Sequence, residues 1–138
     1  MEKGDTQKIF LPMTPPTVTH QQKQVSIKNG KPVFFEPSEL TAARTKLQAH
    51  LAAYVPKEKH TAAIRVVVKW LFPMGKHQNG EYKTTKPDLD NAAKLLLDVM
   101  TSLGFWQDDA IIASLVLEKF WAERPGIYIC IEPLRRER

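Results

Sequence analysis

The chain has 138 residues, 43% of them hydrophobic, and 20 Lys and Arg against 15 Asp and Glu give it a net charge of +5. That length supports one compact domain with a real core and excludes two comfortable ones, while the basic excess favours anionic partners without naming one. No apolar stretch opens the chain and nowhere do eighteen apolar residues run together, so neither a signal peptide nor a membrane span is expected, and a soluble cytoplasmic protein is.

In chain order, Lys8-Ile9-Phe10-Leu11 suggests a first strand, closed by Pro12, Pro15 and Pro16, which lack an amide donor. A polar stretch rich in Gln and Lys follows over 17–29. Within it Asn29-Gly30 marks a hairpin turn whose arms are Val25-Ser26-Ile27 and Pro32-Val33-Phe34-Phe35. Leu40, Ala43, Leu47, Leu51 and Tyr54 recur at steps of three and four, which predicts a helix over 39–54 that Pro56 ends. The run from Ala62 to Phe72 is dense in β-branched and aromatic residues and predicts a long buried strand, stopped by Pro73 and Gly75. A polar loop holding Lys76, His77, Lys83 and Lys86 comes next.

The spacing of Ala92, Leu95, Leu96, Val99, Met100 and Leu103 predicts a helix over 90–103, with Gly104 placed to terminate it. Beyond an Asp108-Asp109 turn, Ile111, Ala113, Leu115, Leu117 and Trp121 alternate along a strand, and Pro125-Gly126 turns into a last strand, Ile127 to Ile131. Cys130, the one cysteine, lies in that apolar run and is expected to be a buried, inert thiol. Residues 1–8 and 135–138 are expected to fray. The whole predicts a single α+β domain over 1–138, with two main helices packed on a mixed or antiparallel sheet.

Lys86-Pro87-Asp88-Leu89-Asp90-Asn91-Ala92-Ala93-Lys94, answered by Gly104-Phe105-Trp106-Gln107-Asp108-Asp109, gathers four acidic side chains around one helix of a basic protein. If 88–90 is extended, both carboxylates point to one side, and Lys94 lies one helical turn beyond Asp90 on the same face. Asp109 would close the site if the following strand lies beside the helix start. Hard divalent cations take oxygen ligands, so such a patch suits magnesium gripping a phosphate. Helix capping is the plain alternative, because Asp is a favoured N-cap and acids in a first turn complement the helix dipole. One cap explains one Asp, not four.

The two motifs and the spacing between them resemble the signature of the RusA family of Holliday junction resolvases, commonly encoded by phages and prophages. The resemblance, close over about residues 86–110, implies that Asp88, Asp90 and Asp109 bind Mg2+, with Mn2+ able to substitute, and that Lys94 is also needed for cleavage. It further implies a homodimer that binds four-way DNA junctions and hydrolyses two opposed phosphodiesters, leaving ligatable 5′-phosphate ends. Lys76, Lys83 and Lys86 are the candidates for DNA-backbone contacts, since they precede the acidic patch. No Gly-rich phosphate loop is present and no nucleotide cofactor is expected; none of His20, His50, His60 and His77 sits in a zinc pattern. Phe105 and Trp106 are expected in the core rather than stacked on bases. Two rival readings share these residues: a non-catalytic module that binds branched DNA, and a nuclease for flaps or forks.

Overall fold

The structure is a computed structural model that describes residues 6–18, 24–28, 30–35 and 37–134. Among these residues six strands and two α-helices are ordered β1 (Gln7–Leu11), β2 (Gln24–Lys28), β3 (Lys31–Phe35), α1 (Ser38–Leu51), β4 (Ile64–Pro73), α2 (Leu89–Leu103), β5 (Ile112–Ala122) and β6 (Gly126–Pro133). The α+β expectation holds: a mixed four-stranded sheet in the order β1-β6-β4-β5 carries both helices, and β2 and β3 pair as a separate hairpin. The expected fraying is corrected at its inner edge, because Gln7 and Lys8 pair with Ile131 and Cys130. The rest of that expectation, over 1–5 and 135–138, and the turn residue Asn29 lie outside the described residues.

β4 is the axis of the sheet. Its alternation is strict, with Ile64, Val66, Val68, Trp70 and Phe72 buried toward the helices, and it pairs with β6 antiparallel and β5 parallel. Ile127, Ile129 and Ile131 of β6 extend the same apolar face, as do Ile9 and Leu11 of β1. Leu40, Leu47 and Leu51 of α1 and Ala92, Leu95, Leu96, Val99 and Met100 of α2 cover it, giving one two-layer core. Tyr54, expected on the α1 stripe, instead falls in a 3-10 turn (Ala52–Tyr54) and is exposed.

Pro125-Gly126 leads into the last strand as expected, although the two strands it joins are not neighbours: β5 and β6 flank β4, and Glu123, Arg124 and Pro125 carry the chain across its end. Gly126 sits where a Cβ would fall 2.8 Å from the Leu11 carbonyl oxygen and 2.1 Å from the nearest atom of the Phe10 ring, so the close approach there calls for glycine. Cys130 is half-buried rather than buried, because its register partner Val67 points away from the helices, onto the open face of the sheet. Two ion pairs, Arg65 with Glu132 at 3.1 Å and Lys69 with Glu118 at 3.9 Å, cross that open face.

α2 crosses from the far end of β4 back to the near end of β5, as a parallel pair requires. Gly104, at φ 96°, ends it by donating its N–H to the carbonyls of Met100 and Thr101, the left-handed cap expected from sequence. The two halves of the acidic signature therefore stand at opposite ends of this helix.

Candidate active site

The segment 88–90 is not extended. Asp88 is the N-cap of α2, and Asp90 lies in its first turn. Yet the Asp88 carboxylate makes no capping hydrogen bond; it faces Lys86, whose Nζ lies 3.3 Å from each of its oxygens. Asp90 Oδ1 accepts from the Asn91 N–H at 2.9 Å. Leu89 between them packs on the core. Both acids are exposed, at the positive end of the helix dipole. The capping reading thus accounts for the position of Asp88 but not for what its side chain does.

Lys94 is 63% exposed and lies 3.8 Å from Asp98, one turn further along α2. That pairing leaves its ammonium on the exposed stripe that begins at Asp90. Lys76 and Lys86 are exposed as well, Lys86 to 84% of its side chain. Lys83 is different. It is 8% exposed, its Nζ donates to Thr85 Oγ1 at 2.5 Å, and its ammonium lies 4.2 Å from the Trp121 ring and 5.1 Å from that of Phe72. Burial, and then the charge of Lys119, push its pKa below the usual lysine value. A residue so enclosed braces the loop.

The other half of the signature is built by packing. Phe105 and Trp106 are fully buried, as expected, and Trp106 Nε1 donates to Thr101 Oγ1 at 2.6 Å. His60 straps the segment from outside: its N–H donates to the Phe105 carbonyl and its own carbonyl accepts from the Gln107 N–H, both at 3.0 Å. Burial holds the His60 imidazole below its ordinary pKa. Asp108 caps a 3-10 turn (Asp109–Ile111), its Oδ1 accepting from the Ala110 N–H at 3.0 Å. Asp108 therefore shapes the turn, and the exposed Asp109 carboxylate is left for other work.

Asp109 does not join Asp88 and Asp90 within one chain. Fifteen residues of α2 separate the two corners, about 22 Å of helix. Sheet register gives the same answer, since Lys119 holds the Pro87 carbonyl whereas Asp109 stands before Ile112, at the opposite end of β5. Among the described residues no three His, Cys, Asp or Glu side chains converge as a metal site. The condition for Asp109 to close the site is not met within one chain: β5 runs parallel to β4, so its first residue meets Ile64 at the other end, and it is Lys119, toward the far end of β5, that reaches Pro87 at the helix start.

The family described as Endodeoxyribonuclease RusA matches residues 13–132, most of the domain. The chain belongs to the RusA endodeoxyribonuclease family. It is similar to a protein of Lactococcus phage r1t named crossover junction endodeoxyribonuclease rusA, 31% identical over 114 residues that cover 80% of this chain and 86% of that one. It is also similar to the uncharacterized protein YqaN of Bacillus subtilis (strain 168), 27% identical over 118 residues, 77% and 82% of the two chains. At the level of the RusA family this is a Holliday junction resolvase, an endonuclease class whose substrate is branched DNA and which is generally metal-dependent. No helix among the described residues is long and apolar enough to cross a membrane.

Proposed function

We propose that this RusA-family chain is a Mg2+-dependent resolvase whose site is shared between two protomers, Asp88 and Asp90 coming from one and Asp109 from its partner. The observation that carries this reading is the pair of exposed acids at the start of α2, one of them an N-cap that does not cap, with the third acid a helix length away. A two-fold dimer in which the helices run past one another would close two such sites at once, matching two nicks on opposed strands. The donor set is all oxygen, which suits Mg2+ or Mn2+ with several waters retained. Bound there, the ion would neutralise a scissile phosphate and lower the pKa of an attacking water. Lys94, on the same stripe, orients that phosphate, and exposed Lys76 and Lys86 hold the flanking backbone. Action in the cytoplasm of a bacterial or phage-infected cell follows from such a substrate.

The test is cleavage of an end-labelled four-way junction against a matched duplex, a flap and a fork, with and without Mg2+. Paired, ligatable nicks in the junction are expected, and Asp90→Asn and Asp109→Asn are each expected to abolish cutting while binding survives. Mixing the two dead variants decides the sharing. Each mixed dimer then holds one intact site and one doubly altered site, so about a quarter of the parent's sites should return, as single nicks. No recovery in dimers shown to have exchanged would place all three acids in one chain, and cutting confined to flaps would replace the substrate.

A further inference from the structure

Lys119 lies on β5 in register with Trp70, on the helix-facing side of the sheet. Nothing in the motif points to it. Its Nζ donates to the Thr85 carbonyl at 2.5 Å and to the Pro87 carbonyl at 2.7 Å, while its own carbonyl accepts from the Lys83 N–H at 3.0 Å. One residue thus fastens the chain over 83–87, and Pro87 is the residue from which Asp88 starts. Within that segment Lys83 also holds Thr85, and the chain just before it is braced on β5 by the Tyr82 bridge to Phe120 and by His77, which stacks on Trp121 with ring centroids 4.1 Å apart.

We propose that Lys119 is a positioning residue for the Asp88 and Asp90 carboxylates: its ammonium bridges two backbone carbonyls to fix the launch of α2 and brings a positive charge to Pro87, the residue next to Asp88. The inference rests on the metal reading above. Two adjacent carboxylates repel until a cation lies between them, so an apo site tends to splay, and a rigid, positively charged support keeps the pair ready for the ion. The ammonium has the right form for this. Two of its three donors are committed to carbonyls that no helix or strand ladder uses, and the part-buried stem runs along the sheet. Glutamine could reach one carbonyl but supplies no charge, and methionine supplies neither.

The experiment uses the full chain and Mn2+ as the probe. Mn2+ binding is followed by electron paramagnetic resonance for the parent, Asp90→Asn, Lys119→Met, Lys119→Gln and Lys119→Arg. Hydrogen exchange over 83–92 and the Mg2+ dependence of junction cleavage are measured alongside. Lys119→Met is expected to weaken Mn2+ binding about tenfold, the scale on which supports behind metal ligands act. Exchange should rise locally, half-saturating Mg2+ should rise, and the rate at saturating Mg2+ should recover most of its value, with Lys119→Arg close to the parent. If Lys119→Met fails to fold, Lys119→Gln carries the same readouts. Parent-like Mn2+ binding in folded Lys119→Met or Lys119→Gln, beside lost binding in Asp90→Asn, overturns the role of Lys119 alone. Mn2+ binding by the parent no better than by Asp90→Asn overturns the metal reading and this inference with it. Weakened junction binding without metal, at unchanged Mn2+ affinity, makes Lys119 a phosphate contact instead.

Discussion

The two ends of α2 present acids by different means. At the start, Asp88 and Asp90 open the helix directly after a loop held by cations, Lys119 on the carbonyls and Lys83 against aromatic rings. At the finish, Asp109 stands on a turn held by packing, with Phe105 and Trp106 in the core, His60 strapped outside and Asp108 capping. A corner with two neighbouring carboxylates has a charge to balance; a corner with one acid free needs only to be placed. On the shared-site proposal, each corner would supply only part of a ligand set.

This contrast is open to attack from the packed side first. Trp106→Ala empties a fully buried site and removes the bond to Thr101, so a loss of about 3–5 kcal/mol in unfolding free energy is expected. Denaturant titration would measure it, and hydrogen exchange in what remains folded should loosen 104–111 more than 83–92. Equal loosening would join the two corners into one unit. Asp108→Ala should cost less, about 1 kcal/mol for a lost cap. Its signature is cleavage lowered through displacement of Asp109, with Mn2+ binding by a variant mixed with parent only partly reduced. Parent-like cleavage would show that the cap does not set Asp109.

The smallest effect expected is one of pH. Burial lowers the His60 pKa, so in the window below its unfolded value of about 6.5 the unfolded chain binds a proton that the folded chain refuses. The stability tied to neutral His60 is complete above that value and is lost as pH falls toward the folded pKa. Melting temperature should therefore rise with pH across this window, and His60→Gln should flatten the rise. An unchanged slope in the variant would assign it to another group.

Much of this was legible in the residues. The stripe of α2 and its Gly104 stop, the alternation of β4 and the Asn29-Gly30 hairpin arms each follow a strong local period or turn chemistry. The acidic motif was legible too, but its geometry was not. An Asp-x-Asp triplet looks alike whether extended or helical, and only the parallel path of β5 shows that Asp109 ends a helix length away. Pro125-Gly126 is indistinguishable by sequence from a hairpin turn, although the chain there steps over a strand. Lys83 and Lys119 were hidden for another reason: lysines are ordinarily exposed, and it takes the edge pairing of 80–83 on β5 to enclose one and aim the other.

The placement of β6 has a consequence for the order in which the molecule comes into being. β6 lies between β1, about 120 residues earlier in the chain, and β4, about 60 earlier, and it carries three of the fully buried isoleucines. While translation is still short of β6, β1 lacks the strand it pairs with and β4 lacks one of its two neighbours. An endonuclease assembled this way stays unformed on the ribosome until its late strand is threaded into the middle of the sheet, and synthesis itself delays the moment at which it can cut.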